Sequence, residues 1–67
     1  MSSRLDLLDA LERLGANRPE LVIPLVLRDA CQLDYAEIAD YLGIPSGTLK
    51  SRIHAARQHV RASLYPA

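Results

Sequence analysis

The sequence predicts an all-α fold, a small four-helix domain with a C-terminal helix-turn-helix. Three observations carry that prediction. Apolar residues recur at helical spacing in four separate stretches. Helix punctuation separates the stretches: Gly15, Pro19, Asp34, Gly43 and Pro45. No stretch shows the sustained apolar–polar alternation of a half-buried strand. At 67 residues the chain is long enough for one domain, spanning 1–67, and too short for two.

The first helix is expected over about 4–14. Leu5, Leu8 and Leu11, with Leu7 and Leu14, supply an apolar stripe. Ser3 can cap it, Asp6 completes a box-like start, and Gly15 suits the stop. The second is expected over about 19–31, opening at Pro19, whose fixed φ suits a first turn. Leu21, Val22, Ile23, Leu25, Val26 and Leu27 make it strongly apolar. Pro24 inside it removes one backbone hydrogen bond, so a kink or a late start is expected there.

The third helix, over 35–42, is the best signposted. Asp34 with Glu37 three residues later forms a capping box, and Leu33 with Ile38 can form a hydrophobic staple. Ile38, Ala39 and Leu42 face inward, and Gly43 ends the helix by taking a left-handed conformation at little cost. The fourth, over 46–63, is expected to start with Ser46 as its cap. Projected at about 100° per residue, Leu49, Ile53, Ala56, Val60 and Leu64 share one face. Lys50, His54, Arg57 and Arg61 share an adjacent flank, and Arg52 and His59 lie on the other.

Formal net charge is zero, but its distribution is lopsided. Residues 1–42 hold all eight acids and four arginines; residues 43–67 hold Lys50, Arg52, Arg57 and Arg61 and no acid. A basic end of that kind suits a polyanion, although two solvated faces could give the same split. Enzyme chemistry finds no footing: there is no paired carboxylate, no Ser/His/Asp set and no phosphate-cradling glycine loop, and hence no catalytic residue and no small-molecule substrate. No cofactor or metal is expected either. His54 and His59 stand about 140° apart on a helix, a poor metal pair. The lone cysteine, Cys31, cannot form an internal disulfide and is expected to be a small buried apolar residue in a reducing, cytoplasmic setting. The run from Leu21 to Leu27 is far shorter than the ~20 residues that cross a bilayer, and the first residues do not read as a signal peptide.

The constellation that carries function is Ile38-Ala39, Leu42-Gly43-Ile44 and Leu49, which has helix-turn-helix spacing over 35–63. Ala39 is small where the helices cross, Gly43 permits the turn, and Ile38, Leu42, Ile44 and Leu49 fill the wedge. The following helix can then enter a DNA major groove. Backbone amides near Ser46, Gly47 and Thr48 can meet a phosphate. Lys50, Ser51, Arg52, His54 and Arg57 can reach phosphates and base edges. An ordinary helical hairpin with a charged outer face is the alternative.

Leu25-Val26-Leu27-Arg28-Asp29, then Leu33-Asp34-Tyr35-Ala36-Glu37-Ile38-Ala39, then the unbroken run from Gly43 to Arg57, resemble region 4 of extracytoplasmic-function sigma factors. The pattern of that family reads approximately LLLRD, LSYEEIA, LGIPxGTVKSRLxRAR. The resemblance implies a domain that binds the −35 promoter element in double-stranded DNA. It also implies docking on the β flap of RNA polymerase through an apolar surface, possible cover by an anti-sigma factor, and residence in the bacterial nucleoid. Lys50, Ser51 and Arg52 match the family's contact tripeptide, and Arg57 its last arginine. Four features depart from the pattern. Ala55 replaces an arginine, Asp34 replaces a serine, Gly15-Ala16-Asn17 reads as an extended connection, and Pro24 interrupts a normally unbroken helix. A LuxR-type response-regulator domain is the nearest DNA-binding alternative, and a sigma-like interaction module that does not bind DNA is another.

Overall fold

The computed structural model describes residues 4–65. It contains four helices in chain order: α1 (Arg4–Asn17), α2 (Pro19–Asp29), α3 (Tyr35–Leu42) and α4 (Ser46–Leu64). At ~1.5 Å per residue, α4 accounts for most of the 34 Å long dimension of the domain. It packs on all three other helices. The core is a single cluster of Leu14, Leu21, Leu25, Ile38, Ala39, Leu49, Ile53 and Ala56. No buried polar or charged side chain interrupts it among the described residues.

The capping expected for α3 is present. Asp34 is in extended conformation (φ −70°, ψ 151°), and its N–H donates to Oε1 of Glu37 at 3.4 Å. Gly43 ends the helix at φ 67°. The Ile44 N–H then reaches the Ala39 carbonyl at 3.0 Å, and the Gly43 N–H that of Asp40 at 3.2 Å, the pairing of a Schellman motif. A cap of this kind turns the chain sharply and aims α4 across α3.

Three helix boundaries are set differently from expectation. α1 does not stop at Gly15 but continues to Asn17. The stop is Arg18, which precedes Pro19 and is held out of the helical region by the proline ring (φ −138°, ψ 68°). The residues 15–17 are therefore helix, and the link between α1 and α2 is the single residue Arg18. The cap proposed at Ser3 lies outside the described residues.

α2 starts at Pro19 and runs through Pro24 to Asp29 without a late start. Pro24 is tolerated because it is one of the most deeply buried residues of the domain, so packing offsets the missing backbone bond. The helix ends two residues early. The amides of Ala30 and Cys31 both donate to the Val26 carbonyl, at 2.9 and 3.1 Å, and Gln32 takes φ 58°. Nη1 of Arg28 fixes the turn by donating to the Leu33 carbonyl at 2.9 Å. Cys31 consequently sits exposed in that turn, not in the core.

The cap of α4 is Pro45 and not Ser46. Pro45 is extended (ψ 147°) and its carbonyl accepts the first helical bond, from Leu49 at 3.0 Å.

The α1 stripe is also rotated from expectation. Ala10 and Leu14 are buried, whereas Leu5 and Leu8 are 75% and 52% exposed. Leu7 and Leu11 face a shallow apolar groove of about 400 Å³. Leu25 and Val26 of α2 and Val60 and Leu64 of α4 form its other walls.

Candidate nucleic-acid interface

α4 carries the expected inward face. Leu49, Ile53 and Ala56 are buried, and Val60 and Leu64 are half-buried. The turn at Gly43–Pro45 leaves the opposite face of α4 free. Ser46, Gly47, Lys50, Ser51 and His54 are all exposed, and Thr48 and Arg52 are half-buried.

Two properties of the first turn of α4 matter for an anion. No side chain caps its amides, and it has no acidic residue. The positive end of the helix is thus uncompensated, which favours a negatively charged group there. A Cβ built on Gly47 would meet nothing within 4 Å, so no internal contact explains the small residue. α4 has no acid anywhere along its length. His54 exchanges a 3.4 Å contact with Gln58 one turn on.

Arg57, expected to reach a phosphate, has a protein partner that the acid-free sequence around it did not announce. Nη2 and Nε of Arg57 donate to the two carboxylate oxygens of Asp29, at 2.6 and 3.3 Å. Its hydrogen bond to the Asp29 carboxylate raises the guanidinium pKa above its usual value. Both side chains are about half exposed, at 49% and 48%. Arg57 therefore ties α4 to α2, and it borders the apolar groove. No acid near it in sequence signalled this, because the partner lies 28 residues away.

Sequence reasoning also passed over Tyr35 and Arg28. The Tyr35 ring is half-buried at the start of α3. The Arg28 guanidinium lies 4.6 Å from its centroid, and the Lys50 ammonium 5.9 Å from it. Both distances fall within cation–π range. Arg28 and Tyr35 stand in the stretches that carry the family resemblance, but only packing reveals that the Tyr35 ring meets both Arg28 and Lys50.

The described residues contain no cluster of three metal-ligating side chains and no helix long and apolar enough to cross a membrane. No curated protein and no solved structure matches the chain significantly. A family model does: Sigma-70, region 4, over residues 4–60. The match spans all of α1, α2 and α3 and most of α4, and so includes both the turn at Gly43 and the exposed cations. It sets aside the response-regulator reading. The chain belongs to the Sigma-70, region 4 family, and its helix-turn-helix is that of a sigma factor's DNA-binding, promoter-recognition domain.

Proposed function

We propose that this domain recognises the −35 promoter element through α4 and docks on the β flap of RNA polymerase, as a region 4 of the extracytoplasmic-function type. The observation that carries the DNA half is the outer face of α4. It combines uncapped first-turn amides, exposed Lys50, Ser51 and His54, half-buried Arg52, and no acid. The amides and Lys50 suit phosphates, and Arg52 and Ser51 suit base edges. Arg57, already bound to Asp29, belongs to the scaffold of that face more than to its contacts.

The polymerase half rests on the groove between α1, α2 and the end of α4. Its apolar walls are Leu7, Leu11, Leu25, Val26, Val60 and Leu64, with Asp29, Arg57 and Arg61 also lining it, a surface suited to an amphipathic helix from a partner. An anti-sigma factor would compete for the same surface. The domain has no catalytic role in this reading and acts in the cytoplasm, on the nucleoid.

A fluorescence anisotropy titration of duplex DNA at several salt concentrations tests the DNA half. Affinity should fall steeply with salt, with a slope of roughly −0.9 per phosphate neutralised. Absence of salt-dependent binding would favour the interaction module.

A further inference from the structure

We propose that Tyr35 is a positioning residue of the DNA-reading face, holding Lys50 in place for a backbone phosphate. The inference rests on the reading of α4 as a recognition helix. Three elements meet at the Tyr35 ring. It is the first residue of α3. From α2, Arg28 stacks its guanidinium 4.6 Å from the ring centroid. From α4, Lys50 places its ammonium 5.9 Å from the same centroid. Arg28 is itself fixed by its bond to the Leu33 carbonyl, and Leu33 packs against the core. The ring therefore cannot drift without breaking contacts on the α2 side.

The consequence falls on Lys50. A lysine on open surface carries a flexible four-carbon stem and loses that freedom when it grips a phosphate. Beside the ring, part of that freedom is already gone before DNA arrives. The ammonium has three donors, and a ring face uses none of them as a conventional hydrogen bond. Lys50 remains exposed, so donors are left for an anion. A pure filler at position 35 would act through the core alone, and any apolar side chain of similar size would serve. A positioning ring acts through Lys50, and only another aromatic would replace it.

The test uses the whole chain with Tyr35→Phe, Tyr35→Leu, Lys50→Ala and the double variant Tyr35→Leu/Lys50→Ala. Proton NMR should show the ε-methylene of Lys50 shifted upfield by the ring current in the parent and in Tyr35→Phe, and not in Tyr35→Leu. At fixed salt, Tyr35→Leu should weaken duplex binding about two- to fivefold, the factor expected of one exposed cation–π contact, while Tyr35→Phe binds as the parent. In the Lys50→Ala background, Tyr35→Leu should have no further effect. An unshifted Lys50 in the parent overturns the proposal, and so does an equal loss from Tyr35→Leu with and without Lys50. If Tyr35→Leu does not fold, the Lys50 shift in the parent still decides. Failure of the parent to bind any duplex overturns the recognition-helix reading as well, whereas binding by the parent without coupling overturns this proposal alone.

Discussion

The helix-turn-helix buries its largest aliphatic side chains in the shared core; α1 and α2 contribute to that core but leave several of theirs open. In the helix-turn-helix, Ile38, Leu49, Ile53 and Ala56 are all at 0–1% exposure. In α1 and α2, Leu5, Leu7, Leu8, Ile23 and Val26 are exposed, and others line a groove. Both halves are rich in leucine, isoleucine and valine, so composition does not explain the contrast. Order does: α4 lies across the three other helices and takes its partners' best faces, leaving α1 covered on one side only. A reading device has to be rigid, since a recognition helix is useful only when its aim is fixed. A docking surface has to be open. The difference between the halves fits one domain performing both tasks.

Core truncations should break the contrast most visibly. Ile38→Ala or Leu49→Ala should cost on the order of 2–5 kcal/mol, close to the entire stability of a domain this small. Leu5→Ala and Leu8→Ala, chemically the same loss, should stay within about 0.5 kcal/mol. Thermal or urea unfolding of the four variants checks this. Equal losses in both halves would mean that α1 packs as deeply as the helix-turn-helix.

The glycines should move stability in opposite directions. Gly43 sits at φ 67° with open space around it, so Gly43→Ala should cost roughly 1–2 kcal/mol through the left-handed backbone alone. Gly15 lies inside α1, where an added Cβ would meet Val22 Cγ1 at an ordinary 3.6 Å. Gly15→Ala should therefore stabilise by about 0.5–1 kcal/mol. A destabilised Gly15→Ala would restore the stop at Gly15 and contradict the continuous α1.

Breaking the Asp29–Arg57 pair should have only a mild effect. Both partners are half exposed, so Arg57→Ala should lower stability by no more than about 1 kcal/mol, a solvent-screened surface pair. It should also alter duplex affinity less than Lys50→Ala does. A larger effect of Arg57 than of Lys50 on duplex binding would show that Arg57 leaves Asp29 for the DNA.

These contrasts also explain which parts of the fold were legible in the sequence. Asp34, Glu37 and Gly43 act within one or two turns, so the bounds of α3 could be read from neighbouring residues. The end of α2 could not, because it depends on an arginine side chain reaching a carbonyl five residues on and on Gln32, a residue type that rarely signals a left-handed turn. At the end of α1, two local signals competed. Gly15 suggested a stop, but the stronger constraint was Pro19 acting on Arg18. Within the candidate site, Lys50 and His54 were legible from helical projection, and Ser51 from the family's contact tripeptide. The Asp29 partner of Arg57 and the ring beside Lys50 were not, because both arise from contacts between helices far apart in sequence.

The account turns on α4 reading base edges and not merely carrying charge. The most direct measurement compares Arg52→Ala with the parent on a selected −35 duplex and on its scrambled counterpart, using protein shown to be folded. The account predicts a loss of roughly 1–3 kcal/mol on the preferred sequence and a clearly smaller one on the scrambled duplex. Equal binding by parent and variant on both duplexes would contradict it and leave α4 as a charged helix that does not read DNA.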